Sequence, residues 1–147
     1  MPRYWIGVVS REHVLRGVED GFAQLGHGKE APLRRLASGD WLVYYSPRTA
    51  HPDGEPLQAF TAIGEVVDDE VFQVEVDPSF RPWRRRIRYL PCREVPVAEL
   101  LSELEIVPDP KRWGLVVRRG LVELGRGDFE RVARAMTGAR PTHPSSP

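Results

Sequence analysis

Arginine and aromatic side chains alternate in the segment that begins at Trp83. If this segment is a strand, one face carries Arg84, Arg86 and Arg88. The other face carries Trp83, Arg85, Ile87 and Tyr89, so Arg85 lies among side chains that should point inward. A buried guanidinium needs a partner, because burying its charge alone costs several kcal/mol. Arg85 therefore either pairs with an internal carboxylate or faces a pocket for an anionic or acceptor-rich ligand.

A second group of candidate residues consists of aromatic side chains near predicted strand ends or in loops: Trp5, Phe22, Tyr44, Tyr45 and Trp83. Any one of them fits a hydrophobic core. Together they lie beside four polar residues, namely Ser10, Lys29, Ser46 and Arg85. Such a set resembles the groups that stack on a planar base and hydrogen-bond to its edge. A base-binding pocket is therefore one hypothesis, and ordinary core packing is the other.

The sequence GHGK at positions 26–29 has the composition of a phosphate-binding loop, but it does not fit the motif. The motif requires glycine at position 23 and serine or threonine after the lysine, where this chain has Ala23 and Glu30. Exposed amides in a glycine-rich turn can still hold an anion, with Lys29 as a point charge. A tight surface loop with a solvated lysine explains the segment equally well.

The other reactive side chains show no spacing that indicates catalysis or metal binding. The four histidines, His13, His27, His51 and His143, lack the intervals of a metal-binding helix. No serine lies in a nucleophile elbow, and Cys92 has no evident histidine partner. We therefore predict no metal, no cofactor and no catalytic residue, and we expect a protein that is not an enzyme.

Length and composition favour one domain over residues 1–136, followed by a mobile, polar tail at 137–147. A chain of 147 residues with 41% hydrophobic content is long enough for one core. The apolar run at residues 4–9 is too short for a signal peptide or a membrane span, so we predict no membrane association. A single cysteine forms no internal disulfide, and this favours a reducing compartment, with the cytoplasm as the default location.

The formal net charge is zero, with 21 basic and 21 acidic residues. This balance argues against binding to nucleic acid mainly through bulk electrostatics. Acidic residues gather between positions 65 and 77, and arginines gather between positions 81 and 93. This arrangement predicts a polarised surface behind the neutral total.

Hydrophobic patterning predicts strands at 4–9, 41–46, 57–67, 71–76 and 83–90. The acidic turn 68–70 joins two of them into a hairpin. Short helices are expected at 11–18, at 32–37, from Pro96 and from an N-cap at Asp128. The order of these elements argues against a doubly wound parallel sheet and for an α+β fold with a curved or closed barrel.

Several long segments resemble one known family. In chain order they are YWIGVVSREHVLRGVEDGFAQLGHGKEAPLRRL, GDWLVYYSPRT, QAFTAIGEV, PWRRRIRYLP, RWGLVV and DFERVARAM. Together they resemble the EVE domain family of the PUA-like superfamily, whose relatives include YTH and ASCH. The resemblance runs from about Arg3 to Met136. It implies an α+β fold in which a PUA-like mixed β pseudobarrel has short helices packed outside.

The same resemblance implies a pocket for a modified base of DNA or RNA. The base-binding residues would be Trp5, Ser10, Phe22, Gln24, Leu25, Gly26, His27, Gly28, Lys29, Tyr44, Tyr45, Ser46, Pro47, Trp83 and Arg85. Arginines outside the pocket would contact the phosphate backbone, and these are Arg84, Arg86, Arg88, Arg118 and Arg119.

Our leading hypothesis is a non-catalytic binding module that recognises a nucleobase, in modified form, through an aromatic-walled pocket. The expected partner is DNA or RNA with a modified base, or a modified nucleotide. Two alternatives stay open. One is a small hydrolase that acts on a modified nucleoside, as some ASCH-type relatives do, with Lys29 and a nearby glutamate or serine as its candidate residues. The other is a scaffold module whose pocket holds a small metabolite.

Overall fold

A computed structural model describes residues 1–107 and 109–138. Its first strand, β1 (Tyr4–Val8), has apolar residues on both faces and lies between two other strands. It pairs in parallel with β3 (Trp41–Arg48) and antiparallel with β7 (Leu121–Leu124). The prediction of a central strand is confirmed, because a strand covered on both faces carries apolar residues at consecutive positions.

Four further strands complete a mixed seven-stranded sheet: β2 (Phe22–Ala23), β4 (Pro56–Gln73), β5 (Trp83–Tyr89) and β6 (Val95–Pro96). The strand order is β2-β5-β4-β3-β1-β7, and β6 pairs with β4. In the described part of the chain, the two end strands β2 and β7 do not pair with each other. The sheet is therefore open and does not close into a complete barrel.

The acidic residues at 68–70 do not form the predicted hairpin turn. They lie inside β4, at an irregularity between Val66 and Val71 in its pairing with β5. Tertiary contacts hold the bulge in place, since Arg85 donates to the Asp68 carbonyl and the Ser38 amide donates to Asp69 Oδ1 at 2.8 Å. The chain reverses direction farther on, where an isolated bridge joins residues 77 and 80.

Four α-helices pack around the sheet: α1 (Arg11–Asp20), α2 (Glu30–Arg34), α3 (Trp113–Val117) and α4 (Arg126–Thr137). Short 3-10 helices occupy Val97–Glu99, Leu101–Glu103 and Pro110–Arg112. The helix predicted from Pro96 is therefore replaced by two 3-10 turns. Its apolar spacing still serves the core, because Val97, Leu100 and Leu104 are buried.

The predicted N-cap at Asp128 is also corrected by the structure. Helix α4 begins at Arg126, two residues before Asp128, and its N-cap residue is Gly125. The Asp128 carboxylate instead accepts the amides of Glu105 at 2.8 Å and Ile106 at 2.9 Å. At the other end of α4, Gly138 caps the helix with a φ of 77°. The predicted tail therefore starts inside α4, and its remaining part, residues 139–147, lies outside the described residues.

The sheet separates two layers of hydrophobic core, as the alternation of side chains along β1 and β3 requires. Ile6 and Val43 belong to one layer, which includes Trp113 and the buried face of α4. Trp5 and Leu42 belong to the other layer, under α1 and α2. Among the described residues, no helix is long and apolar enough to span a membrane.

Asp40 ties the start of β3 to the start of β1. Its carboxylate accepts the backbone amides of Arg3 and Ala37, each at 2.9 Å, and the indole N–H of Trp5 at 3.0 Å. Asp40 is buried, so these bonds also satisfy a charge that would otherwise be costly to desolvate.

We expect Asp40→Ala to lower the free energy of unfolding by about 2–4 kcal/mol, because the substitution strands three donors. Urea denaturation measures this loss. Asp53→Ala is the matched control, since Asp53 is exposed, and it should change the free energy of unfolding by less than about 0.5 kcal/mol. A similar small effect for Asp40→Ala would contradict the assigned role.

Candidate binding cavity

A cavity of about 850 Å³ opens beside the ends of β1 and β3 and the first turns of α1. The loops after β2 and β3, the β4–β5 connection and the α3–β7 connection complete its walls. Its volume falls in the range of roughly 300–1,000 Å³ that is usual for small-molecule sites.

Buried side chains of Ser10, Phe22 and Tyr44 form the inner wall of the cavity. The ring of Tyr44 stacks on that of Tyr89, with 6.3 Å between centroids. Burial raises the pKa of Tyr44 to about 12, and contacts with the Tyr89 hydroxyl and the Gln24 backbone offset this only in part. The Tyr44 phenol is therefore uncharged across the physiological pH range.

Helix α1 lies close to this inner wall because residue 17 is glycine. A Cβ atom at Gly17 would lie 2.5 Å from the backbone oxygen of Phe22. The same oxygen accepts a hydrogen bond from the Tyr89 hydroxyl at 2.8 Å. Any side chain at position 17 would therefore push α1 away from β2 and change the shape of the cavity.

One side wall is a preassembled cation–π pair. The guanidinium of Arg84 lies 3.8 Å from the centroid of the Phe22 ring, and its Nε donates to Gln24 Oε1 at 3.0 Å. Partial burial lowers the pKa of Arg84, although Asp20 raises it, and the group keeps its charge because the ordinary pKa of arginine lies far above neutral pH. The pair presents a planar, charged surface beside an amide.

Ser10 contributes a hydroxyl that has no partner in the described structure. It occupies the N-cap position of α1 but makes no side-chain bond to that helix, and it is 8% exposed. Leaving a buried hydroxyl without a partner costs on the order of 1–3 kcal/mol. A ligand atom in the cavity would satisfy it.

The mouth of the cavity is surrounded by exposed basic side chains, which we call the rim: His13, Arg16, His27, Arg48, His51 and Arg118. The rings of His27 and His51 lie 5.2 Å apart. Among the described residues, no aspartate or glutamate lines this cavity. The rim therefore attracts anions, although the whole chain carries no net charge.

The basic side chains of the rim differ in whether neighbouring groups already form hydrogen bonds or ion pairs with them. Arg16 pairs with Glu12 at 2.7 Å, and Arg48 donates to the carbonyl of Gly54 at 2.9 Å. Arg118 makes no ion pair within residues 1–107 and 109–138. Partial burial lowers the pKa of His13, so its imidazole is mostly neutral at pH 7.

The structure brings nine of the residues named from sequence to this cavity: Ser10, Phe22, Gln24, Gly26, His27, Tyr44, Pro47, Arg84 and Arg118. Arg84 was expected to lie outside the pocket, and it instead forms part of the wall. Alternation along the strand did not predict this location. Arg84 is the second residue of β5, and this end of the strand adjoins the loop that bounds the cavity.

Eight of the fifteen residues named for the base pocket do not line the cavity: Trp5, Leu25, Gly28, Lys29, Tyr45, Ser46, Trp83 and Arg85. Trp5 is buried and bonded to Asp40, and Ser46 is buried with its hydroxyl 2.8 Å from that of Thr61. Tyr45 packs edge-on against Trp113 in the other core layer. Tyr45 alternates with Tyr44 along β3, so the two faces of that strand separate Tyr45 from the cavity. Trp5 shares the core layer of Tyr44, but it lies near the start of β1, away from the strand end that borders the cavity.

Trp83 and part of the loop at 26–29 also lie outside the lining of this cavity. Leu25 is buried in the core, and Gly28 packs against Pro82, which a Cβ at position 28 would approach to 2.5 Å. Trp83 is half-buried and packs against the same core layer as Leu25. Lys29, the candidate for the hydrolase alternative, is exposed and lies outside the cavity lining.

Arg85 resolves the question that the sequence raised about its inward position. It is 2% exposed and donates to the backbone carbonyls of Leu33, Leu36 and Asp68, with Asp69 Oδ1 at 3.8 Å. Burial lowers the pKa of Arg85, and the nearby Asp69 opposes the shift. Arg85 therefore joins α2 to the bulge of β4 and does not face the cavity.

The acidic and arginine-rich segments cancel each other in space. Strands β4 and β5 are antiparallel, so Arg86 lies 3.1 Å from Glu70 and Arg88 lies 3.0 Å from Glu65. The polarised surface expected from their order in the chain is therefore absent at this hairpin. Arg86 and Arg88 are engaged outside the cavity, and Arg119 lies beside a separate, shallower pocket.

Sequence reasoning did not select four rim residues: His13, Arg16, Arg48 and His51. The spacing of His13 and Arg16 on one face of α1 was an available signal. Arg48 and His51 had none, because only the pairing of β1 with β3 brings the loop after β3 to the start of α1. The amide of Glu12 donates to the Thr49 carbonyl at 2.9 Å and fixes this approach.

An open mixed sheet with short outer helices defines a PUA-like fold, which two solved structures share. The YTH domain-containing protein mmi1, in a complex with RNA, matches with a TM-score of 0.59 and 12% identity, over 90% of this chain and 79% of that chain. Human THYN1, in a complex with DNA that contains 5-methylcytosine, matches with a TM-score of 0.51 and 15% identity, over 88% of this chain and 95% of that chain. At these identities the likeness concerns the fold.

The chain belongs to the EVE domain family, whose model matches residues 3–135. A UPF0310 protein of Mycolicibacterium vanbaalenii is 54% identical over 132 residues, which cover 90% of this chain and 91% of that protein. The predictions of the EVE family and of a PUA-like α+β fold are therefore confirmed.

The raised pKa of Tyr44 predicts a loss of stability in alkali. Tyrosine in the unfolded chain ionises near pH 10, whereas folding holds Tyr44 protonated up to about pH 12. Because the unfolded state binds fewer protons in this window, the free energy of unfolding falls as pH rises through it, by about 2 kcal/mol from this residue. Denaturant unfolding at pH 9 and pH 12 should show a smaller fall for Tyr44→Phe than for the wild type. Equal falls would contradict this.

Proposed function

We propose that this chain is a non-catalytic module that binds DNA or RNA by taking one base, extruded from its stack, into the cavity. The observation that carries the proposal is the combination of a buried aromatic inner wall with a basic rim that contains no carboxylate among the described lining residues. A flat, apolar ring with a phosphate backbone attached needs both features.

The inner wall supplies the stacking surface. A base would lie against the planar face made by Phe22 and Arg84, since guanidinium and aromatic planes both stack on nucleobases. Arg84 is held in this position by Gln24 before any ligand arrives. The surface is therefore preorganised, which reduces the entropy lost on binding.

Two polar groups would read the edge of the base. Gln24 uses its Oε1 to accept from Arg84, which leaves its amide nitrogen to donate to an acceptor on the ligand. The Ser10 hydroxyl, without a partner in the described structure, can donate or accept. Reading an edge with unpaired buried groups gives selectivity, because the wrong base leaves them unsatisfied.

The apolar residues that line the cavity would accommodate the added group of a modified base. Val8, Val9 and Val117 line the cavity and would contact an added methyl group, as apolar side chains contact the methyl group of thymine. The human THYN1 structure contains DNA with 5-methylcytosine, and the mmi1 structure contains RNA. These two relatives of the fold support nucleic acid as the partner class, and we continue to predict a cytoplasmic location.

Short DNA and RNA strands with one central cytosine, 5-methylcytosine, adenine or N6-methyladenine would test the proposal in fluorescence-anisotropy titrations. We expect one modified base to bind more tightly than its unmodified counterpart. Arg84→Gln should weaken that complex by about 5- to 150-fold, since stacking contributes roughly 1–3 kcal/mol per base. Thermal unfolding verifies that the variant is folded.

Arg81→Gln is the matched control for Arg84→Gln. Arg81 precedes the same strand, is exposed, and pairs with Glu75 at 3.0 Å outside the cavity lining. It should change affinity by less than about threefold, as a screened surface charge does. Equal affinity for all strands, binding of none, or equal losses in the two variants would overturn the proposed function.

A further inference from the structure

We infer that the rim contains a subsite for a phosphate oxyanion, formed by the histidine cluster His13, His27 and His51 beside the N-terminus of α1, and that filling it takes up a proton. This inference extends the proposed function, because it assigns a position to the phosphate attached to the bound base. It concerns histidines that nothing in the base-stacking wall requires.

Three histidines from separate elements lie at the mouth of the cavity. His27 lies in the loop after β2, His51 in the loop after β3, and His13 on α1, so three separate elements bring imidazoles to one mouth. The rings of His27 and His51 are 5.2 Å apart, and the charges of both act on His13. Within the described residues, no group of three or more histidine, cysteine or acidic side chains could hold a metal ion.

The N-terminus of α1 supplies a second, independent feature. This helix has ten residues, and its N-cap residue Ser10 and its residue His13 both line the cavity, whereas the amide of Glu12 is already bonded to the Thr49 carbonyl. The Ser10 hydroxyl is nine-tenths buried and unpartnered among the described residues. Hydroxyl and amide donors at a helix start are the groups that hold phosphate oxygens in many proteins.

The charges that face the histidine cluster favour an anion. Arg16 comes from α1, Arg48 from the end of β3, Arg84 from β5 and Arg118 from the segment after α3. Glu12 is the acidic group that acts on His13, and its charge is matched by Arg16 at 2.7 Å.

Two acidic residues follow His51 in its own loop, at positions 53 and 55. Neither of them lines the cavity. The charged side chains that line the described cavity and would face an oxyanion at the rim are therefore all basic.

Proton uptake follows from the state of the empty rim. Burial and Arg16 lower the pKa of His13, with smaller contributions in the same direction from His51 and His27, so adding a proton is opposed while the site is empty. An oxyanion among the rings reverses this balance, because it attracts the imidazolium form. Binding and protonation therefore strengthen each other, and the site binds more tightly as the pH falls.

Sulfate is a suitable probe, since it stays a dianion from pH 6 to pH 8 and does not titrate itself. Calorimetry should show binding about tenfold tighter at pH 6 than at pH 8, which corresponds to average uptake of about half a proton for each sulfate bound. Repeating the titration in two buffers of different ionisation enthalpy counts the protons directly. Amide NMR shifts should place the ion at Ser10, His13 and their neighbours.

His13→Arg separates a titrating role from a structural one. A permanent cation at position 13 should keep sulfate binding at pH 8 and reduce the difference between pH 6 and pH 8 to less than about threefold. His13→Gln should weaken sulfate binding at pH 6. Arg93→Gln, at an exposed cation outside the cavity lining, should leave both properties unchanged.

The outcomes distinguish this inference from the proposed function. Base-selective binding of oligonucleotides with no pH dependence, or sulfate binding without proton uptake, overturns the phosphate subsite and leaves the base pocket intact. Proton-coupled sulfate binding together with equal affinity for every base supports the subsite and removes the proposed function. Absence of sulfate binding at both pH values overturns the inference.

Discussion

The parallel pairing of β1 with β3 is the constraint on which the cavity depends. Because the two strands run in the same direction, their carboxyl ends finish side by side, and the chain leaves both at one edge of the sheet. Helix α1 follows one strand, and the loop with Arg48 and His51 follows the other. Asp40 fixes the opposite ends of the strands through Arg3 and Trp5. Rigid strands therefore position a mouth that is made of loops and a helix start.

A neutral chain can present a basic cavity because its charges are distributed by topology and not by sequence order. The hairpin of β4 and β5 pairs the acidic segment with the arginine-rich segment and removes both from long-range electrostatics. The charged residues that line the described cavity are arginines and histidines, and one of them, Arg16, forms an ion pair with Glu12. Local field and net charge are therefore separate properties in this protein.

The inner wall and the rim make different physical demands on a ligand. Phe22, Tyr44 and Gly17 form a close-packed interior whose groups stay uncharged, and in the proposed function a flat apolar surface would lie against it. The rim is exposed, so its charges are screened by salt and respond to pH. A ligand that has an aromatic ring joined to an oxyanion satisfies both, and a nucleotide unit of DNA or RNA is such a ligand.

The sequence by itself determined the family, the central strand β1 and helix α1, because these depend on local patterns and on long matching segments. It could not decide which aromatic and arginine residues reach the cavity. Trp5 and Arg85 point into the core, whereas Phe22 and Arg84 line the wall. Which side chains reach the cavity depends on the pairing of the strands, on the bulge in β4 and on the approach of α1 to the loop after β3. Each of these involves contacts between residues far apart in the chain. Only tertiary structure can fix such contacts, since period-two alternation is lost wherever a strand bulges or ends.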